Sequence, residues 1–123
     1  MRLLLDTHVA IWWLSGDRRL SATTRLAIED ASNAYLSAVS LWEIFIKQDT
    51  GRLELPAGFV AALRDDFSEL QLTFDHAVEC RALPLLHRDP FDRMLVAQAK
   101  AEGLTIVSAD RKLSEYGVSV LAA

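Results

Sequence analysis

The chain has 123 residues, with 13 Lys+Arg against 17 Asp+Glu and a formal net charge of −4. Hydrophobic residues make up 51% and charged residues 24%, which excludes a disordered chain or a fibrous repeat and fits a single domain spanning residues 1–123. The lone cysteine, Cys80, excludes an internal disulfide, and the acidic balance excludes a protein that grips nucleic acid by bulk charge, though not an enzyme that meets it through bound metal.

Arg2 to Leu5 is a short apolar run ending at Asp6 and reads as a buried strand. Thr7 to Leu14 follows as a short helix, closed by Ser15-Gly16-Asp17. A second helix is expected over Ser21 to Asp30, with Ser21 as its cap and Leu26 facing inward. Ala34 to Ala38 is a strand. Ser40 to Gln48 is the clearest helix, carrying Leu41, Ile44 and Phe45 on one face and ended by Gly51. A helix after Pro56 carries Phe59, Val60 and Leu63, and a brief strand runs from Leu70 to Thr73. Asp75 to Leu83 is helical and Pro84 to Asp89 is loop. Pro90 to Glu102 is a helix, with proline at its first position and Gly103 just past its end. Leu104 to Val107 and Val118 to Leu121 complete the strands.

Strands alternating with helices predict an α/β fold with a mainly parallel central sheet. Right-handed crossovers then place the strand C-termini on one edge, where open α/β sheets bind ligands. The longest apolar stretches, such as Val9 to Leu14, fall far short of the ~20 residues that span a bilayer. Asp6 interrupts Leu3-Leu4-Leu5 too early for a secretion signal, so a soluble cytoplasmic protein is expected.

Four acids fall on the ligand-binding edge of this map. Asp6 ends the first strand, and Glu43 stands in the first turn of the helix after the second. Asp92 lies in the first turn of the Pro90 helix, and Asp110 follows the Leu104–Val107 strand. Each also has a capping role open to it: Ser40-x-x-Glu43 is a capping box, Asp89-Pro90-x-Asp92 a cap with a dipole-complementing acid, and Asp6 and Asp110 are turn or cap residues. Gathered in one cleft, four carboxylates would repel, and a divalent cation removes the conflict. All-oxygen ligands suit Mg²⁺ or Mn²⁺ rather than zinc, and such ions activate water for attack on a phosphodiester. His8, His76 and His87 are scattered, no glycine-rich phosphate loop occurs, and no Ser or Cys stands in a nucleophile elbow.

The segments Leu3-Leu4-Leu5-Asp6-Thr7-His8, Ser40-Leu41-Trp42-Glu43-Ile44, His87-Arg88-Asp89-Pro90-Phe91-Asp92-Arg93 and Val107-Ser108-Ala109-Asp110 resemble the PIN domain. More closely, the chain resembles VapC-type toxins of type II toxin–antitoxin pairs, over essentially its whole length. The resemblance implies a three-layer α/β/α sandwich and a Mg²⁺- or Mn²⁺-dependent endoribonuclease. Its catalytic and metal-binding residues would be Asp6, Glu43, Asp92 and Asp110. It also implies a homodimer, a cognate antitoxin that covers the acidic cleft, and structured RNA, such as tRNA or rRNA, as substrate. Ser108 stands where it could orient a carboxylate or a bound water, and Asp89 is a fifth acid nearby. Arg88, Arg93, Arg111 and Lys112 flank the acids as candidate phosphate contacts or as ion-pair partners. Two rival readings carry different tests: a non-catalytic binding domain of the same fold, or a metal-dependent nuclease acting on DNA.

Overall fold

A computed structural model describes residues 1–123. In chain order the elements are β1 (Arg2–Leu5), α1 (Thr7–Ser15), α2 (Ala22–Asp30), β2 (Asn33–Ser37), α3 (Ala38–Asp49) and α4 (Phe59–Asp66). They continue with β3 (Ser68–Leu70), α5 (Phe74–Ala82), α6 (Pro90–Glu102), β4 (Thr105–Ser108), a 3₁₀ segment (Arg111–Tyr116) and β5 (Val120–Ala122). The five strands form one all-parallel sheet in the order β3-β2-β1-β4-β5. The α/β expectation holds, and the sheet is wholly parallel.

Burial explains why β1 is central. Leu3, Leu4 and Leu5 are all fully buried, since both faces of a parallel sheet are covered. Alternation sends Leu3 and Leu5 into a core built with Val9 and Trp12 of α1, Ile28 of α2, Ile44 of α3, and Phe59 and Leu63 of α4. Leu4 faces the other way, among Leu95, Val96 and Ala99 of α6 with Leu104, Ile106 and Tyr116. Removing each such side chain from water contributes about 1.5–3 kcal/mol.

Several expected details move. α3 begins at Ala38, capped by Ser37, whose Oγ accepts the Val39 N–H at 3.1 Å. Ser40 is therefore not the cap, and its buried hydroxyl has no hydrogen-bond partner. Glu43 consequently lies in the second turn of α3 rather than the first. Phe45 and Leu26, expected to face inward, are exposed; Ile28 fills the core from α2 instead. β3 occupies Ser68–Leu70, ahead of the expected Leu70–Thr73, because Thr73 is taken by the capping box of α5. β5 likewise sits two residues later than expected at its start, because the 3₁₀ segment and Gly117 use the chain before it.

His76 is fully buried and structural. Its Nδ1 accepts the Thr73 N–H at 3.1 Å, and its Nε2 lies 2.8 Å from Glu102 Oε1, fastening α5 to α6. No helix is long and apolar enough to cross a membrane.

Candidate active site

The sheet order sets the site. From β1 the chain winds outward through β2 to β3, and later returns to β1's other side through β4 to β5. The strand order thus reverses between β1 and β4, and ligands of open parallel sheets bind in the crevice outside such a switch point. Asp6 stands at the end of β1, and Ser108 and Asp110 at the end of β4.

A cleft of about 870 Å³ opens there, lined by Asp6, Glu43, Asp92 and Asp110, with Asp89 as a fifth carboxylate. The structure brings together all four acids that the sequence singled out. They do not converge on a point, and no three acidic or histidine side chains form a ready-made ligand set. The reason lies in their partners, since most of them are turned onto protein donors.

Asp6 caps α1: its Oδ1 accepts the His8 N–H at 3.3 Å, and its Oδ2 accepts the Ser108 hydroxyl at 2.6 Å. Ser108 Oγ in turn accepts the Asp110 N–H at 3.0 Å, so one buried hydroxyl joins two acids across the switch point. Ser108 thus holds a carboxylate, one of the roles expected of it, and a backbone N–H as well. Burial pushes the Asp6 carboxyl up, but the hydrogen bonds from His8 and Ser108 outweigh it and leave it below its ordinary value. His8 is raised by the Asp6 carboxylate 3.9 Å away, against partial burial and the charge of Lys47.

Glu43 is buried on α3, where its Oε1 accepts the Thr7 hydroxyl at 2.7 Å. Its Oε2 lies 3.4 Å from Lys47 Nζ, one helical turn on, and Lys47 also reaches His8 Nε2 at 3.4 Å. Asp89 is the cap of α6, its Oδ1 accepting the Phe91 N–H at 2.8 Å and the Asp92 N–H at 3.4 Å. Asp110 caps the 3₁₀ segment by accepting the Lys112 N–H at 3.0 Å.

Asp92 differs from all of these. No donor supports its carboxylate. Burial first, and then the charges of Asp89, Asp6, Glu43 and Asp110, push it up to about 6 from 3.8. The dipole of α6 and its nearby cations do not offset that crowding. Uncompensated negative charge on an all-oxygen donor set is what a hard divalent cation neutralises, so these residues fit Mg²⁺ or Mn²⁺. Ser108→Ala is expected to lower stability by about 1–2 kcal/mol, by stranding buried Asp6 without its donor. Denaturant unfolding with and without the substitution checks it.

Residues 3–118 match the family model of the PIN domain. The chain belongs to the PIN domain family. Ribonuclease VapC22 of Mycobacterium tuberculosis is 32% identical over 118 residues, covering 93% of this chain and 91% of that protein. Among solved structures, VapBC2 from Rickettsia felis bound to a promoter DNA fragment superposes with a TM-score of 0.72 at 12% identity, covering 99% and 98% of the two chains. FitAcB from Neisseria gonorrhoeae superposes with a TM-score of 0.63 at 22% identity, covering 97% and 96%. These likenesses match the fold over its whole length.

In this PIN domain the cations differ from the expected set. Of Arg88, Arg93, Arg111 and Lys112, only Arg88 lines the cleft. Arg93 turns away and donates to the carbonyls of Pro84 at 2.8 Å and Cys80 at 3.3 Å, pinning the loop before α6. Arg19, Lys47 and Arg52 line the cleft instead, arriving from the chain after α1 and from α3 and its end. Thr7 and Lys47 were not singled out from the sequence. Their signals there are adjacency to Asp6 and the i, i+4 spacing from Glu43.

Proposed function

We propose that this protein is a metal-dependent endoribonuclease and the toxin of a toxin–antitoxin pair, hydrolysing phosphodiesters in structured RNA such as tRNA or rRNA. One observation carries the reading: an unsupported carboxylate, Asp92, crowded by four other acids at the switch point of a parallel sheet. The 32% identity to a VapC ribonuclease supports RNA as the substrate class, and the likeness in fold to a chain of a toxin–antitoxin complex from Klebsiella pneumoniae supports a cognate antitoxin as partner.

Asp6, Glu43, Asp92 and Asp110 would hold Mg²⁺ or Mn²⁺. When bound, the ion supplies a Lewis acid that lowers the pKa of water and neutralises charge on the phosphate. The chain's own residues do the rest. Ser108 fixes the Asp6 carboxylate and Thr7 fixes Glu43, so both acids are oriented before substrate arrives. Glu43 would hold the ion or position the attacking water. Arg19, Lys47, Arg52 and Arg88 meet phosphates along the cleft, which is how a chain of net charge −4 holds RNA. A second copy of the chain, and an antitoxin segment that covers the acids, complete the assembly we infer.

The deciding experiment incubates antitoxin-free protein with total RNA, with and without Mg²⁺ or Mn²⁺, beside Asp6→Asn. Discrete cuts that need the ion and vanish in the variant are expected. Cutting of DNA but not RNA would move the assignment to the rival nuclease, and no cutting with any ion would favour a binding domain. Binding to RNA is also expected to weaken only gently with salt. Four cleft cations give a slope of log affinity against log salt no steeper than about −3. A markedly steeper slope in a filter-binding titration would place many more phosphates on the surface than this cleft can meet.

A further inference from the structure

His87 has no role in the account so far, yet it is held on several sides. It lies in the loop between α5 and α6, with its side chain only 15% exposed. Its backbone N–H donates to Tyr116 Oη at 2.8 Å. Its ring lies against the Tyr116 ring, centroids 5.3 Å apart and planes at 34°. Of the two ring nitrogens, Nδ1 is buried without a partner, whereas Nε2 is 3.4 Å from Asp110 Oδ2.

That asymmetry selects a tautomer. A buried N–H without an acceptor is rarer than a lone pair without a donor. A neutral ring therefore carries its hydrogen on Nε2, the nitrogen that lies near the carboxylate. Asp110 is then held by two hydrogen bonds, Lys112 N–H on Oδ1 and Ser108 Oγ on its backbone N–H, with His87 Nε2 standing 3.4 Å from Oδ2 on the third side. We propose that His87 is a positioning residue that orients the Asp110 carboxylate for the divalent cation, with Tyr116 as the bracket that keeps the imidazole in place. The proposal deepens the reading of the cleft as a cation site and rests on it. Groups of this kind behind metal ligands change ion affinity by about 10–100-fold when removed.

The test measures Mn²⁺ binding by calorimetry on the purified full chain, on His87→Phe, on His87→Gln and on Asp6→Asn. His87→Phe keeps an aromatic ring against Tyr116 but has no N–H for Asp110. Its Mn²⁺ Kd is expected to rise about tenfold while the melting temperature without metal stays at the parental value. His87→Gln restores a side-chain N–H donor and is expected to recover most of that loss, a rescue that packing alone would not produce. Parental Mn²⁺ affinity in His87→Phe would overturn the proposal, as would a His87→Gln no better than His87→Phe. Should His87→Phe fail to fold, the Gln variant decides alone, a loss beyond tenfold overturning the assigned role of the N–H. The underlying reading is scored separately: parental protein that binds Mn²⁺, with Asp6→Asn that does not, sustains the cation site whatever His87 does. Parental protein that binds no Mn²⁺ overturns both.

Discussion

Asp92→Asn is expected to cut RNA cleavage steeply and yet leave the protein more stable near neutral pH. The folded carboxyl is pushed up to about 6 from 3.8, so the folded chain binds the proton more tightly than the unfolded chain does. The sign follows from that. Stability falls as pH rises from about 4 through about 6 and stays lower above it, because the ionised group is worse placed in the cleft than in water. A shift of this size corresponds to about 3 kcal/mol. Asp92 is only half-buried, and solvent screening brings the expected gain from neutralising it to about 1 kcal/mol. For a chain of this length that is a rise in Tm of about 4 °C. Thermal melts in chelator across the acid range check it: the Asn variant should lose the part of the pH dependence that lies between about 4 and about 6. Cleavage should meanwhile fall on the order of 100–1,000-fold, as when a preorganised charge is removed from an active site. A variant less stable than its parent at neutral pH would mean that Asp92 is supported by contacts the cleft does not display.

Leu4→Ala is expected to have the opposite profile, a large loss of stability with the chemistry intact. Leu4 is fully buried at the middle of β1, paired with Tyr35 of β2 and Ile106 of β4. Its side chain closes the core under α6, among Leu95, Val96 and Leu104. Truncation there removes apolar contacts and leaves a cavity between a rigid sheet and a packed helix, costing about 3 kcal/mol. Against the 5–15 kcal/mol that hold a domain together, this is a substantial fraction. Urea unfolding should show the midpoint drop with an unchanged slope. At temperatures where both proteins are folded, cleavage per folded molecule should match the parent. Placing the two substitutions side by side separates the charges that do chemistry from the apolar surface that holds them.

The parts legible in the sequence are those where local chemistry and tertiary burial agree. Leu3-Leu4-Leu5 reads as a buried strand because a parallel sheet wants continuous apolar residues, and Asp89, Pro90 and Gly103 delimit α6 by chemistry that no neighbour has to supply. Asp6, Asp92 and Asp110 were legible by position, since each follows a strand or opens a helix, whereas Glu43 reaches the same cleft from the second turn of α3. β3 was less so, because Ser68-Glu69-Leu70 is a three-residue edge strand with two exposed positions and no apolar period. The start of α3 misleads for a different reason. Ser40-x-x-Glu43 has the letters of a capping box, but Ser37 caps one turn earlier and Glu43 spends its carboxylate on Thr7 and Lys47. Arg93 misleads through adjacency. Neighbours on a helix point about 100° apart, so Arg93, next to Asp92 in sequence, leaves the cleft and meets the Pro84 and Cys80 carbonyls. Partners drawn from other elements, such as Ser108 for Asp6, exist only once the sheet has formed.

The pairing of β1 with β4 also sets when the site comes into being. Leu3 lies beside Thr105 and Leu5 beside Val107, so the strand made first waits for one made about a hundred residues later. Asp6 is made about a hundred residues ahead of Ser108, which orients it, and of Asp110. At ~5–20 residues per second the roughly hundred residues that separate the two strands take roughly 5–20 s to make. For nearly all of that interval the growing polypeptide carries its acids without the partner strand that gathers them. The switch point, and with it the grouping of Asp6 with Ser108 and Asp110, exists only once β4 has been made and laid beside β1.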